Sequence, residues 1–153
     1  MSWLSELLSN PFLLCPLCSW FVAQMLKVII NAVINRKLDW ERLVGDGGMP
    51  SGHSATVSSL AMLALLRCGP GSFEFAVCAI LAIIVCHDAM GVRLETGKQA
   101  QMLNEIVRTV EVLTKQDLPE VKLKELVGHT PIQVLAGITI GLCSGAFCHF
   151  VVF

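Results

Sequence analysis

Charge is scarce in this chain and tyrosine is absent. Only 15% of its 153 residues are Asp, Glu, Lys or Arg, whereas 54% are hydrophobic, and the mean hydropathy is +0.68. Water-soluble domains carry about a quarter of their residues charged, so an ordinary soluble domain is excluded; so much apolar surface equally excludes disorder. A net charge of -1 supplies no basic field for a polyphosphate backbone, and 7% aromatics without tyrosine supply no stacking platform. Nucleic acid is therefore not an expected partner. A cleavable leader is not expected either, since Met1 to Asn10 carries no basic region and no small-residue cleavage site.

Cysteine is plentiful, but its placement is bland. Seven cysteines, an odd number, fall at 15, 18, 68, 78, 86, 143 and 148, mostly inside apolar runs where a thiol behaves as a small hydrophobe. Cys15-Pro16-Leu17-Cys18 has the spacing of a metal knuckle or redox pair, yet no second Cys or His pair accompanies it. Asp46, Asp88 and the histidines do not have a spacing that requires a metal. No metal and no cofactor are expected.

Each membrane crossing takes about 20 residues, so a chain of this length holds roughly four or five crossings and no separate soluble domain. Four apolar stretches stand out: Phe12 to Ile34, Ser54 to Cys68, Phe73 to Val92 and Ile132 to Phe153. The second is short, but a start at Pro50 or Ser51 and a stop before Gly69-Pro70-Gly71 extend it to about 27 Å. Between the third and fourth, Met102, Leu103, Ile106, Val107, Val110 and Leu113 recur at helical period with Glu105, Arg108, Glu111 and Lys115 on the other faces. The expected fold is all-α: one membrane-embedded domain over 1–153, a bundle of about four transmembrane helices plus one amphipathic cytoplasmic or interfacial helix.

Basic residues set the orientation. The connections after the first and third stretches hold Arg36, Lys37, Arg42, Arg93, Lys98, Arg108, Lys115, Lys122 and Lys124, whereas the connection after the second holds only Arg67. Cytoplasmic loops carry the excess of Lys and Arg. Both long connections are therefore expected in the cytoplasm and both termini on the far side, in a bacterial inner membrane.

Chemistry collects in three segments. Gly47-Gly48-Met49-Pro50-Ser51-Gly52-His53-Ser54-Ala55 is a glycine-rich turn running into the second crossing, where exposed N–H groups of a helix start favour an anion. Proline and serine there are ordinary helix-start residues; a histidine at the membrane boundary is not so explained. Cys86-His87-Asp88-Ala89-Met90-Gly91-Val92-Arg93, followed by Gly97-Lys98-Gln99 and Asn104, ends the third crossing with a carboxylate and two cations. Asp88 beside the bilayer is costly unless paired, so it is either a functional group or one half of an Asp88 to Arg93 ion pair that closes the span. Gly128-His129-Thr130-Pro131-Ile132-Gln133 opens the fourth crossing. Thr130, Pro131 and Gln133 fit a capping box with Pro at the first helical position, and His129 lies just ahead of that helix start.

The expected topology puts His53, Asp88, Arg93, Lys98 and His129 at one membrane boundary. Lys27 lies nine residues before Arg36 in a run without helix breakers, about 13 Å deeper. A lysine there either snorkels or lines a polar pocket, and the anionic company in the bundle favours the pocket. Two histidines, several cations and two helix N-termini around one cavity can carry out phosphoryl transfer through a covalent histidine.

Pro50-Ser51-Gly52-His53 resembles the central signature of the type 2 phosphatidic acid phosphatase and vanadium haloperoxidase superfamily. Nearly the whole chain is similar to its divergent small branch, through Asn10-Pro11, Trp20-Phe21, Ala23-Gln24-Met25-Leu26-Lys27, Gly48 to Ala55, Asp88 to Arg93, Gly97-Lys98-Gln99-Ala100, Leu103-Asn104 and Gly128-His129-Thr130-Pro131. The resemblance implies a helical bundle and metal-independent phosphoester hydrolysis, often of lipid phosphates. It implies that Lys27 is the phosphate-binding lysine, His53 the general acid and His129 the nucleophile; Ser51 and Gly52 at the helix start are further expected to bind substrate, and Arg93 or Lys98 to supply the charge of the motif arginine that Leu123 replaces. Two positions depart from the pattern. Leu123 stands where the superfamily has an arginine six residues before the nucleophile, and Gln133 where it has an aspartate four residues after. A neutral amide cannot stabilise an imidazolium as a carboxylate does, so Asp88 substitutes or turnover is slow.

The leading expectation is a membrane phosphatase acting from the cytoplasmic side on a lipid phosphate or pyrophosphate. One rival is a binder or transporter that grips anionic lipid head groups without cleaving them, which Leu123 and Gln133 favour. The other is a structural membrane subunit, for which Gly137, Gly141 and Gly145 form a four-residue-spaced stripe suited to close helix packing within the chain or in a homo-oligomer.

Overall fold

Local capping chemistry sets each helix of the computed structural model, which describes residues 3–36, 48–115, 123 and 127–152. A short helix α1 (Trp3–Leu8) precedes α2 (Pro11–Asn35). The Asn10 side chain caps α2 by accepting the Phe12 N–H at 2.9 Å, and Pro11 takes the first-turn position, where no N–H is needed. Helix α3 (Gly52–Cys68) is capped by Ser51 and ends at Gly69, whose φ of 88° stops it. After a three-residue turn Ser72 caps α4 (Phe73–Met90), accepting the Phe75 N–H at 3.1 Å. Gly91 breaks the helix, α5 (Val92–Thr114) follows, and α6 (Pro131–Phe147) opens with the expected Thr130/Gln133 capping box before a π-helical turn, Cys148–Val152.

Helix α3 is the hub: it packs most extensively on α6, then on α2 and α4. Lipid gives no hydrophobic drive for helices to associate, so close approach of backbones through small residues matters most. The face of α3 is built for it, with Ser54, Ala55, Ser58 and Ser59 all buried. Gly137 meets the Ser51 carbonyl, Gly141 the Ala55 carbonyl and Gly145 the Ser59 carbonyl, so closely that a Cβ on any of the three would overlap its neighbours. The constant offset makes α3 and α6 parallel. Helix α2 runs antiparallel to α3, since Cys15 Sγ lies 3.2 Å from Ser59 Oγ while Ser19 Oγ donates to the Ala55 carbonyl at 3.2 Å.

The glycine stripe is thus used inside the chain. Gly137, Gly141 and Gly145 are buried against α3, which is the first of the two uses their spacing allows. Among the described residues three helical runs are long and apolar enough to cross a membrane, Pro11–Ile34, Phe73–Thr114 and Pro131–Val152. The fourth expected crossing, α3, has 17 residues, about 26 Å at 1.5 Å each, and is held among the other three. The expected amphipathic helix is longer than its apolar stripe: α5 begins at Val92 and carries Arg93 and Lys98 on its first turns, while Met102, Leu103, Ile106 and Leu113 remain exposed. Lys37, Arg42, Asp46, Gly47, Lys122, Lys124 and Phe153, which entered the sequence argument, lie outside the described residues.

Candidate functional site

The helix order brings three chain segments together at one end of the bundle. Helix α4 returns along α3, which sets Asp88 beside His53, and the parallel α6 starts where α3 starts. Two backbone hydrogen bonds lock the corner: Ser51 N–H donates to the Gln133 carbonyl at 3.0 Å, and His129 N–H donates to the Ala89 carbonyl at 3.0 Å. Between them lies a cavity of about 210 Å³ lined by His53, Ile84, Val85, Asp88, Ala89, Arg93, Gly128 and His129. His129 is 3% exposed, whereas His53 is exposed at the rim.

Glycine makes this corner possible at two points. Gly91 separates α4 from α5, so the chain turns and Arg93 folds back on Asp88, with Arg93 Nε 2.7 Å from Asp88 Oδ2. Gly128 has a φ of 84° and its Cα sits against the backbone of Arg93 and Leu94, where any Cβ would overlap. Helices α3, α5 and α6 all begin around the cavity, and helix N-termini favour an anion.

Of the residues singled out from sequence, the structure gathers His53, Asp88, Arg93 and His129 around one cavity. Both readings of Asp88 hold geometrically, since it pairs with Arg93 and also lines the cavity; the pair is half-exposed. The remaining four do not line it. Ser51 is fully buried and its Oγ accepts from the Ser54 N–H at 3.4 Å and the Ser54 hydroxyl at 3.0 Å, as a helix cap does. Gly52 sits against the Trp20 ring, which lies 3.2 Å from where a Cβ would be. Lys27 is on α2 and 3% exposed, so it is buried as expected, though outside this cavity's lining. Lys98 is a correction: it points away from the cavity, exposed and paired with Glu95 at 2.7 Å, because the turn at Gly91 brings only the first residues of α5 back to the site.

The two departures from the superfamily pattern acquire physical explanations. Gln133 Oε1 accepts the Thr130 N–H at 3.0 Å, so this amide oxygen serves the α6 cap. Leu123 is held by both ends of the Asn104 amide, whose Nδ2 donates to the Leu123 carbonyl at 3.0 Å and whose Oδ1 accepts its N–H at 3.1 Å. That position therefore lies against α5, and Arg93 is the cation at the cavity. Sequence reading missed the apolar wall, Ile84 and Val85, although they stand four and three residues before Asp88 on one helical face. It also missed that Gln24, Lys27 and Asn31 form one buried polar stripe of α2, at spacings of three and four. Among the described residues no group of three or more His, Cys, Asp or Glu is arranged to hold a metal ion.

A helical bundle with long apolar helices defines an all-α integral membrane protein, in which His53, Asp88, Arg93 and His129 line a cavity at three helix starts. A family model described as the divergent PAP2 family matches residues 8–144, and the chain belongs to that family. It is also 42% identical over 146 residues to YuiD, an uncharacterised membrane protein of Bacillus subtilis (strain 168), covering 90% of this chain and 92% of that one. No solved structure matches the chain.

Proposed function

We propose that the protein is a membrane phosphatase that hydrolyses a lipid phosphate or pyrophosphate through a phosphohistidine. The observation that carries this reading is the meeting of His53, Asp88, Arg93 and His129 at one cavity among three helix starts. Arg93 and the helix N–H groups hold the phosphoryl oxygens. The His129 imidazole attacks phosphorus, the bond to the leaving oxygen breaks, and His53 donates a proton to that oxygen. Water then attacks the phosphorus of the phosphohistidine, His53 takes its proton, the P–N bond breaks, and inorganic phosphate leaves. Asp88, which lines the cavity with both histidines, is the carboxylate among the described lining residues that favours the transient imidazolium.

The test incubates purified protein in detergent with a panel of lipid phosphates and pyrophosphates and measures released phosphate. Millimolar vanadate is expected to raise the melting temperature, and Arg93→Ala to reduce that rise. No phosphate from any substrate together with retained vanadate stabilisation would establish the second reading, a binder of anionic head groups, which the commitment of Gln133 to the α6 cap favours.

The same reading places the site at the cytoplasmic boundary of the plasma membrane with both termini opposite, because nine basic residues flank the site-side connections against Arg67 alone on the other side. A phosphatase-type reporter fused at the C-terminus is expected to be active only outside the cytoplasm; activity of a cytoplasmic reporter at that position would reverse the orientation.

A further inference from the structure

A second, apolar groove adjoins the cavity at His53. It encloses about 390 Å³ and is lined by Leu17 and Trp20 of α2, His53, Thr56 and Val57 of α3, and Val85 of α4. His53 and Val85 line both hollows, so the two lie side by side with the histidine between them. They differ sharply in chemistry. The head-group end presents Asp88, Arg93 and His129, whereas the groove presents hydrocarbon: its one hydroxyl, Thr56 Oγ1, already donates to the Gly52 carbonyl at 2.8 Å. Beyond His53, the Trp20 indole N–H and the Thr56 oxygen, the lining offers a polar ligand only hydrocarbon.

Its direction follows from the helices. From His53 to Val57 the groove descends α3 by about 6 Å at 1.5 Å per residue, away from the helix starts and toward the middle of the apolar spans. Antiparallel packing sets Trp20 near the α3 start, where its ring touches Gly52, and Leu17 one turn deeper. Leu17 is 51% and Trp20 40% exposed, so the groove opens sideways, between α2 and α4, to whatever surrounds the bundle.

We infer that this groove holds the hydrocarbon chain on the leaving group of the substrate, which enters from the bilayer between α2 and α4 with its phosphate at Arg93 and His129 and its first few carbons along Trp20, Val57 and Leu17. The inference rests on the proposed phosphoester reading for the head group, and its occupant is an alkyl or prenyl chain joined to a phosphate. The placement has a chemical sense: the ester oxygen, where head and tail join, comes to His53, the group that protonates it. A soluble sugar or nucleoside phosphate would have to lay hydroxyl groups against Leu17, Val57 and Val85, leaving them without hydrogen bonds. Beyond Leu17 the chain passes into lipid, so the groove reads the tail's first carbons and is indifferent to its full length.

The experiment measures kcat/KM for straight-chain alkyl phosphates of two to ten carbons, kept below their micellar concentrations. The wild type is expected to improve by up to about fourfold per added methylene over the first few carbons, as each leaves water, and then to level off. Leu17→Trp, which fills the lower groove, is expected to flatten that rise and lower the long-to-short ratio at least tenfold. Leu142→Trp, on the outer face of α6, is expected to leave the ratio as it is. A Leu17→Trp protein with the wild-type rise would overturn the groove while leaving hydrolysis intact. Should the wild type release no phosphate at all, the hydrolytic reading fails and the groove is judged separately by photolabelling. An alkyl phosphonate bearing a diazirine on its third carbon is expected to label Leu17, Trp20, Val57 or Val85 of the wild-type protein. Labels spread over lipid-facing residues such as Ile80 and Phe147 would overturn it.

Discussion

His129→Ala is expected to abolish phosphate release and to leave no phosphoenzyme, whereas His53→Ala is expected to be selective in its damage. His129 is the buried histidine of the cavity, pinned by its own backbone N–H to the end of α4. In the proposed mechanism His129 is the nucleophile, so losing it removes the first step. His53 sits at the rim, where the leaving group departs. Loss of a general acid costs about 10²- to 10⁴-fold, chiefly with poor leaving groups, so an activated aryl phosphate is spared more than an alkyl phosphate. Rapid-quench labelling with ³²P-substrate and steady-state rates on both substrate types read the two outcomes. An active wild type in which His129→Ala keeps full activity would sink the mechanism without touching the fold.

Gly128→Ala is expected to destabilise the protein by on the order of 2–5 kcal/mol and to cost most of its activity, although the residue carries no chemistry. Two effects add. A φ of 84° is a left-handed conformation that costs an L side chain about 1–2 kcal/mol. The new methyl would also overlap the backbone of Arg93 and Leu94, which cannot swing aside as a side chain can; overpacking of this kind costs about 1–3 kcal/mol. Pushing that backbone away also carries Arg93 from the cavity. Thermal unfolding in detergent checks the stability, with Gly71→Ala as the comparison, since nothing lies within 4 Å of its added Cβ. A Gly128→Ala protein that melts with the wild type would remove Gly128 as the contact that shapes the site.

The helices were legible because their signals are local. Asn10, Ser51, Ser72 and Thr130 sit where caps belong, and the apolar runs between them map onto α2, α3, α4 and α6 with ends shifted by at most two residues, except that α6 gives way at Phe147 to the π-helical turn. Family membership was legible because its motif residues cluster at helix ends, and His53, Asp88, Arg93 and His129 do converge. What could not be read was direction within a turn. Lys98 lies five residues after Arg93, about 140° round α5 and about 7.5 Å further along it, so Arg93 pairs with Asp88 and Lys98 with Glu95, and only the break at Gly91 fixes which face of α5 meets the cavity. The place of Leu123 was opaque because its partner, Asn104, stands 19 residues earlier and meets it only once the chain has folded back, whereas the cap made by Gln133 and Thr130 was legible from their spacing. The glycine stripe carried two meanings in sequence, and only the placement of α3 decided between them.

The parallel pairing of α3 with α6 bears on how the protein is made. A ribosome delivers α3 into the membrane well before α6, since the contacts of Ser51, Ala55 and Ser59 lie 86 residues further along the chain, at Gly137, Gly141 and Gly145. Throughout that interval the serine face of α3 has no glycine helix to meet, and at about 26 Å the helix is short for the bilayer it must occupy. The segment that most needs a partner therefore precedes that partner in the chain, and the corner at His53, Asp88, Arg93 and His129 closes only after α6 has followed α3 into the membrane and docked on it.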